Sequence, residues 1–224
     1  MILSPGAAQN TRNDIVRKAS WLQVLILLIS LAQAVAAKAA EPTLLLYGDS
    51  LLAGLGLDAA DGFEGQLRAA LAAKGLQVNV VNASVSGDTT AAGLDRLAWT
   101  LGERPDAVIL GLGANDMLRG LSPEAARDNL SAILSELAAS DVPVLLLGMR
   151  ADRGLGAEYV QAFDGLYPAL AEEYGVRLYP FYLQAIGLDP QYYQADLIHP
   201  NAEGVRRIVA DLMPSIEALL VEIR

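Results

Sequence analysis

The sequence predicts an α/β domain: a three-layer α/β/α sandwich built on a five-stranded parallel sheet. From Thr43 onward, short apolar, β-favouring runs alternate with longer segments of helical period. The short runs lack polar alternation, as strands do when both faces of a parallel sheet are covered. With 53% apolar and 19% charged residues in 224, the chain can fill one core and is too apolar to stay disordered.

Strands are expected at 43–47, 78–81, 107–111, 142–147 and, less apolar, 176–179. Helices are expected at about 61–74, 89–101, 122–139, 157–174 and 202–222. Ser122-Pro123 supplies an N-cap with proline at the first helical position, and Lys74-Gly75 ends the first long helix. Right-handed crossovers then place helices on both faces of the sheet. Ligands of such sheets bind outside the carboxyl ends of the strands. Residues 40–224 contain no internal repeat or linker, so one domain is expected there.

The first 39 residues belong to a different class. Arg12, Arg17 and Lys18 precede an apolar run from Trp21 to Ala37, followed by the small-x-small triplets Ala34-Val35-Ala36 and Ala37-Lys38-Ala39. That order predicts a secretory signal peptide cleaved after Ala39 or Ala36; an uncleaved anchor is the alternative, because the run approaches a bilayer span. Without cysteine, a lipid-anchored lipoprotein is excluded. Removing 1–39 leaves 12 basic and 25 acidic residues, a net charge of −13. This suits a soluble exported protein with no stable membrane insertion and no attraction to anionic lipid.

Composition narrows the chemistry further. Zero cysteine excludes disulfides, thiolate metal sites and a cysteine nucleophile, and one histidine excludes multi-histidine metal sites. The acidic balance argues against nucleic acid as a partner.

Four polar clusters follow strands or precede the last helix: Gly48-Asp49-Ser50-Leu51, Asn82 to Thr89, Gly111 to Asp116, and Asp196-Leu197-Ile198-His199-Pro200-Asn201. All fall on one rim of the predicted sheet. Ser50, at a strand-to-helix turn, is the candidate nucleophile, although Gly-Asp-Ser alone also reads as a polar turn. His199 is the only imidazole, so any serine-hydrolase mechanism must use it as base, with Asp196 near enough to hold it. The Ser50 and Gly87 backbone amides and the Asn115 side-chain amide are candidate oxyanion donors. The competing readings are a positive-φ turn for Gly87 and a helix cap for Asn115. Asp49 and Asp88 are expected to accept backbone N–H bonds that hold the loops, and Asp116 to cap the next turn. Leu51, Leu52, Leu55, Leu57, Met117, Leu118 and Leu121 either line an acyl pocket or belong to the core, with Met117 and Leu118 the best pocket candidates.

These blocks resemble those of the GDSL or SGNH hydrolase family, whose four eponymous residues match Ser50, Gly87, Asn115 and His199, with Asp196 as third member of the triad. The longer strings LLLYGDSLLAGLGL, VVNASVSGDTT, LGLGANDMLRG and DLIHPNAEG are similar to the branch of exported bacterial esterases that act as thioesterases, lysophospholipases and arylesterases. The similarity covers nearly all of 43–222. It implies a flavodoxin-like fold, no cofactor, a periplasmic or secreted location, and hydrolysis of small-molecule acyl esters or thioesters through an acyl-serine. The chain is expected to act as a monomer. Two other readings remain open: a carbohydrate O-acetyl esterase, and a non-catalytic lipid- or flavin-binding module on the same scaffold.

Overall fold

Leu44, Leu45, Leu46 and Tyr47 are fully buried because their strand, β1 (Thr43–Gly48), runs inside a parallel sheet covered on both faces. The computed structural model describes residues 41–223. The export segment expected over 1–39 lies outside the described residues.

The other strands are β2 (Asn79–Asn82), β3 (Ala107–Gly111), β4 (Val144–Leu147) and β5 (Arg177–Tyr179). All pairings are parallel, in the order β2-β1-β3-β4-β5. The helices are α1 (Ser50–Ala53), α2 (Phe63–Ala73), α3 (Thr90–Thr100), α4 (Ala114–Leu118), α5 (Pro123–Ala139), α6 (Ala157–Tyr174) and α7 (Ala202–Glu222). The chain steps outward from β1 to β2, crosses back to β3, and then continues outward through β4 and β5. Connections therefore leave β1 and β3 in opposite directions, and a crevice opens beyond their carboxyl ends.

Alternate residues of each strand feed two separate cores. Leu44, Leu46, Ile109, Leu145 and Leu147 pack against α2 and α7. Leu45, Tyr47, Val108, Leu110 and Leu146 pack against α3, α5 and α6. The predicted sandwich is thus the observed one. Helices α6 and α7 run through Pro168 and Pro214, each costing about 3 kcal/mol in a helix interior, so burial of their apolar faces holds them.

Element boundaries differ from expectation where the backbone is already engaged. The Val142 N–H bonds back to Leu137 O, closing α5, and Pro143 has no N–H, so β4 starts at Val144. The Val176 N–H likewise bonds Ala171 O, and β5 starts one residue later. The single-turn helices α1 and α4 are too short for periodicity to reveal.

Gly48 and Gly111 lie side by side at the ends of β1 and β3. A Cβ on Gly48 would lie 2.5 Å from Gly111 O and 2.7 Å from the Leu52 side chain, so only glycine fits. Gly48→Ala should lower the urea midpoint by the equivalent of about 1–3 kcal/mol, the usual cost of overpacking. An unchanged midpoint would show that the rim is looser than this packing implies.

Candidate active site

Ser50 begins α1 at the end of β1. The Asp49 carboxylate caps that helix by accepting the Leu51 N–H at 3.0 Å. The turn leaves Ser50 8% exposed, with its Oγ 2.9 Å from His199 Nε2.

His199 lies on the loop that leads into α7. Its Nδ1 is 2.6 Å from Asp196 Oδ2. The other Asp196 oxygen accepts the backbone N–H groups of Ile198 at 2.9 Å and His199 at 3.0 Å. These bonds hold the Asp196 carboxyl down at about 2 although the side chain is 45% exposed, so it is ionised and only accepts. Nδ1 therefore carries the proton of the neutral imidazole, and Nε2 is left to accept from the Ser50 hydroxyl. Leu197, between the two, has φ +58°, a left-handed conformation that costs a non-glycine residue about 1–2 kcal/mol. The surrounding hydrogen bonds enforce it.

After β2, the Asp88 N–H bonds Val85 O at 3.1 Å across a four-residue turn. Gly87 is its third residue, with φ +89°, whereas Ser86 is not in the left-handed region. That combination matches the φ signs of a type II turn, whose third residue favours glycine. Neither the Gly87 N–H nor that of Ser50 donates to a protein acceptor among the described residues. Asn115, in α4 just beyond β3, donates its side-chain amide to Asp88 O at 3.0 Å and, at a longer 3.4 Å, to Asp49 Oδ2. Both neighbours are acceptors, which fixes the nitrogen on their side. The structure thus joins Ser50, His199 and Asp196 directly, and ties Asn115 to the turns that carry Ser50 and Gly87.

Two of the acids act differently from expectation. Asp88 does not hold a backbone N–H; its carboxylate accepts from Arg96 Nε at 2.6 Å. Asp116 does not cap the turn that follows it, but accepts the Thr90 N–H at 2.8 Å and hydroxyl at 2.6 Å, pinning the start of α3. Among the leucines, Leu52 is core, packed under Gly48 and Gly111. Met117 packs partly on the core against α3, α5 and α6. Leu118 is 54% exposed on the rim, and Leu55 and Leu121 are also exposed there.

Residues 46–207 match the model of the GDSL-like lipase/acylhydrolase family. The chain belongs to that family. It is 40% identical over 184 residues to esterase TesA of Pseudomonas aeruginosa, covering 82% of this chain and 92% of the relative. It is also 40% identical over 176 residues to thioesterase 1/protease 1/lysophospholipase L1 of Escherichia coli K12, covering 78% and 83%. The crystal structure of AlinE4, an SGNH-hydrolase family esterase, superposes with a TM-score of 0.69 at 45% identity over 82% of this chain and 99% of that one. The chain is accordingly a hydrolase with the SGNH fold.

Arg96 is the residue of this GDSL-like hydrolase that sequence reasoning passed over. Its guanidinium donates to Asp88, to Ala83 O at 2.5 Å and to Gly48 O at 3.2 Å, and its Cζ lies 4.1 Å from the Tyr47 ring centroid. One cation thus fastens the end of β1 to the Gly87 loop. A sequence signal existed: position 96 falls on the face of α3 that buries Gly93, Leu97 and Thr100, where an arginine needs partners. Arg119 is a second such residue, donating to Gly87 O at 2.7 Å.

Asp49 is 1% exposed above a small void lined by Leu52, Leu112, Leu147, Met149 and Tyr182. Burial pushes its carboxyl up to about 6, outweighing the Leu51 N–H, His199 and Asn115, which pull it down. The folded chain therefore holds the Asp49 proton to higher pH than the unfolded chain, where it leaves near 3.8. Asp49 consequently costs stability as pH rises from about 4 to about 6, by roughly 3 kcal/mol in total. Asp196, shifted down, acts in the opposite sense: its contribution is lost as pH falls from about 4 through about 2. In urea titrations at several pH values, the stability of Asp49→Asn relative to wild type should rise by about 2 kcal/mol between pH 4 and pH 7. Parallel pH profiles for the two proteins would contradict the assignment.

Proposed function

We propose that the protein is a serine esterase that hydrolyses carboxylic acyl esters and thioesters, with Ser50, His199 and Asp196 as its catalytic triad. The observation that carries this reading is the continuous line of contacts from Ser50 Oγ through both His199 nitrogens to Asp196, at 2.9 and 2.6 Å. His199 Nε2 removes the Ser50 proton as Oγ attacks the acyl carbonyl carbon. The Asp196 carboxylate holds the Nδ1–H and stabilises the imidazolium that forms. The negative charge on the carbonyl oxygen is met by the Ser50 and Gly87 N–H groups and the Asn115 amide, each typically worth about 3 kcal/mol in the transition state. Of the two Asn115 N–H groups, the one on the long 3.4 Å contact to Asp49 is the more weakly engaged and is the one that donates to the oxyanion. Collapse breaks the bond to the leaving oxygen or sulfur, which takes its proton from His199. Water then attacks the acyl-serine by the same route and releases the acid.

The names of the relatives, esterase and thioesterase/lysophospholipase, support this substrate class. The exposed Leu118, with Met117 beside it, supplies the apolar contact for the acyl chain. Residues 1–39 direct export to the periplasm or beyond, and among the described residues no helix is long and apolar enough to cross a membrane. The mature protein acts as a monomer on small-molecule substrates.

Hydrolysis of p-nitrophenyl esters from acetyl to palmitoyl should show an optimum at medium or long chains. Ser50→Ala and His199→Ala should each lower kcat by at least about 1,000-fold. Near-normal turnover in His199→Ala would remove the imidazole from the mechanism. Activity confined to acetyl esters would favour a carbohydrate O-acetyl esterase, and no Ser50-dependent hydrolysis of any chain would favour a binding module.

A further inference from the structure

The Ser50–His199 contact joins two segments 149 residues apart, and a second connection runs alongside it. The His199 loop is closed at its base by a bridge between Tyr193 and Pro200. Asn201 reinforces that closure by donating to Tyr192 O, Gln191 O and Tyr193 O. Inside the loop, Gln194 engages both ends through its backbone. Its N–H donates to His199 O at 2.8 Å, and its carbonyl accepts the Leu197 N–H at 3.0 Å. Its side chain then leaves the loop. Nε2 donates to Pro200 O at 3.0 Å and to Leu55 O at 2.8 Å, the latter on the segment that follows α1. Leu55 in turn donates its N–H to Ser50 O at 3.2 Å.

A line of hydrogen bonds therefore runs from the Ser50 carbonyl through Leu55 and Gln194 to the His199 carbonyl, parallel to the side-chain contact between the two residues. The neighbouring Gly56 makes room for it: a Cβ there would lie 2.2 Å from Gln194 Oε1, and its φ is +78°. Both acceptors of the Gln194 amide are backbone carbonyls, so the side chain is committed to structure. A glutamate of the same shape would face two carbonyl oxygens with no donor.

Resting on the triad reading above, we propose that Gln194 is a positioning residue whose side-chain amide clamps the His199 loop to the Ser50 turn and sets the separation of Ser50 Oγ from His199 Nε2. Gly56 is the second half of the clamp. Small misplacement of a catalytic group costs up to about 100-fold in rate. The clamp acts through backbone carbonyls and sets the Ser50–His199 separation, so its loss should appear in kcat and leave KM largely unchanged.

The test compares wild type, Gln194→Met, Gln194→Glu, Gly56→Ala and the Gly56→Ala/Gln194→Met double variant, with Ser50→Ala as control. It measures kcat and KM on a p-nitrophenyl ester, the urea midpoint, and the imidazole NMR signals of His199, which are unambiguous because the chain has one histidine. The expected result is a kcat loss of about 10- to 100-fold in each single variant, with KM within about twofold. The double variant should lose no more than the worse single, and the His199 signals should shift or broaden in each. Unshifted His199 signals with kcat within about twofold of wild type would overturn the proposal, as would losses that multiply in the double variant or that follow the urea midpoint. If wild-type hydrolysis proves independent of Ser50, the triad reading fails, and the NMR signals alone still decide whether Gln194 holds the loop.

Discussion

One hydrogen bond, from Ser50 to His199, requires the ends of the domain to meet within 2.9 Å. No local structure can supply that contact across 149 residues. It depends on β1 delivering Ser50 to the rim and on α7, packed along the Leu44 and Leu46 side of the sheet, delivering the loop that carries His199. The topological switch beside β1 makes this possible. Connections depart from β1 and β3 in opposite directions, leaving space above their ends that no crossover helix fills.

Holding polar residues at the edge of an apolar core creates an electrostatic difficulty, which the molecule meets unevenly. Asp88 and Asp116 are satisfied, one by Arg96 and the other by both donors of Thr90. Asp49 is only partly satisfied. It caps α1 and faces Asn115, yet burial raises its carboxyl to about 6. The ionised form is therefore a burden on the fold at neutral pH. The left-handed Leu197 is another such burden, located between Asp196 and His199. Both lie at the site, where stored strain is offset by the cores on either side of the sheet.

The sheet and its five long helices were legible because their signals are repetitive. Continuous apolar runs marked the strands, and helical periodicity marked the helices to within two residues at most ends. That Ser50, Asn115, Asp196 and His199 meet at one rim was legible because the polar clusters follow strands or precede the last helix, and because a chain with one histidine offers one imidazole. What escaped was the support. Arg96 and Gln194 act through backbone carbonyls contributed by distant segments, and a carbonyl carries no sequence identity. The roles of Asp88 and Asp116 depend on the tertiary approach of α3, which no local pattern shows. Asp88 sits in a loop and Asp116 in the single-turn α4, where a local cap is the expectation, whereas their actual partners, Arg96 and Thr90, come from α3.

The central claim is that Ser50 becomes covalently acylated through His199. The most direct measurement is intact-protein and peptide mass spectrometry of a rapidly acid-quenched reaction with a p-nitrophenyl ester. The account predicts one acyl group per chain on the peptide containing Ser50, absent from Ser50→Ala and formed far more slowly in His199→Ala. Acylation at another residue, or hydrolysis that proceeds with no Ser50 adduct at any quench time, would contradict it.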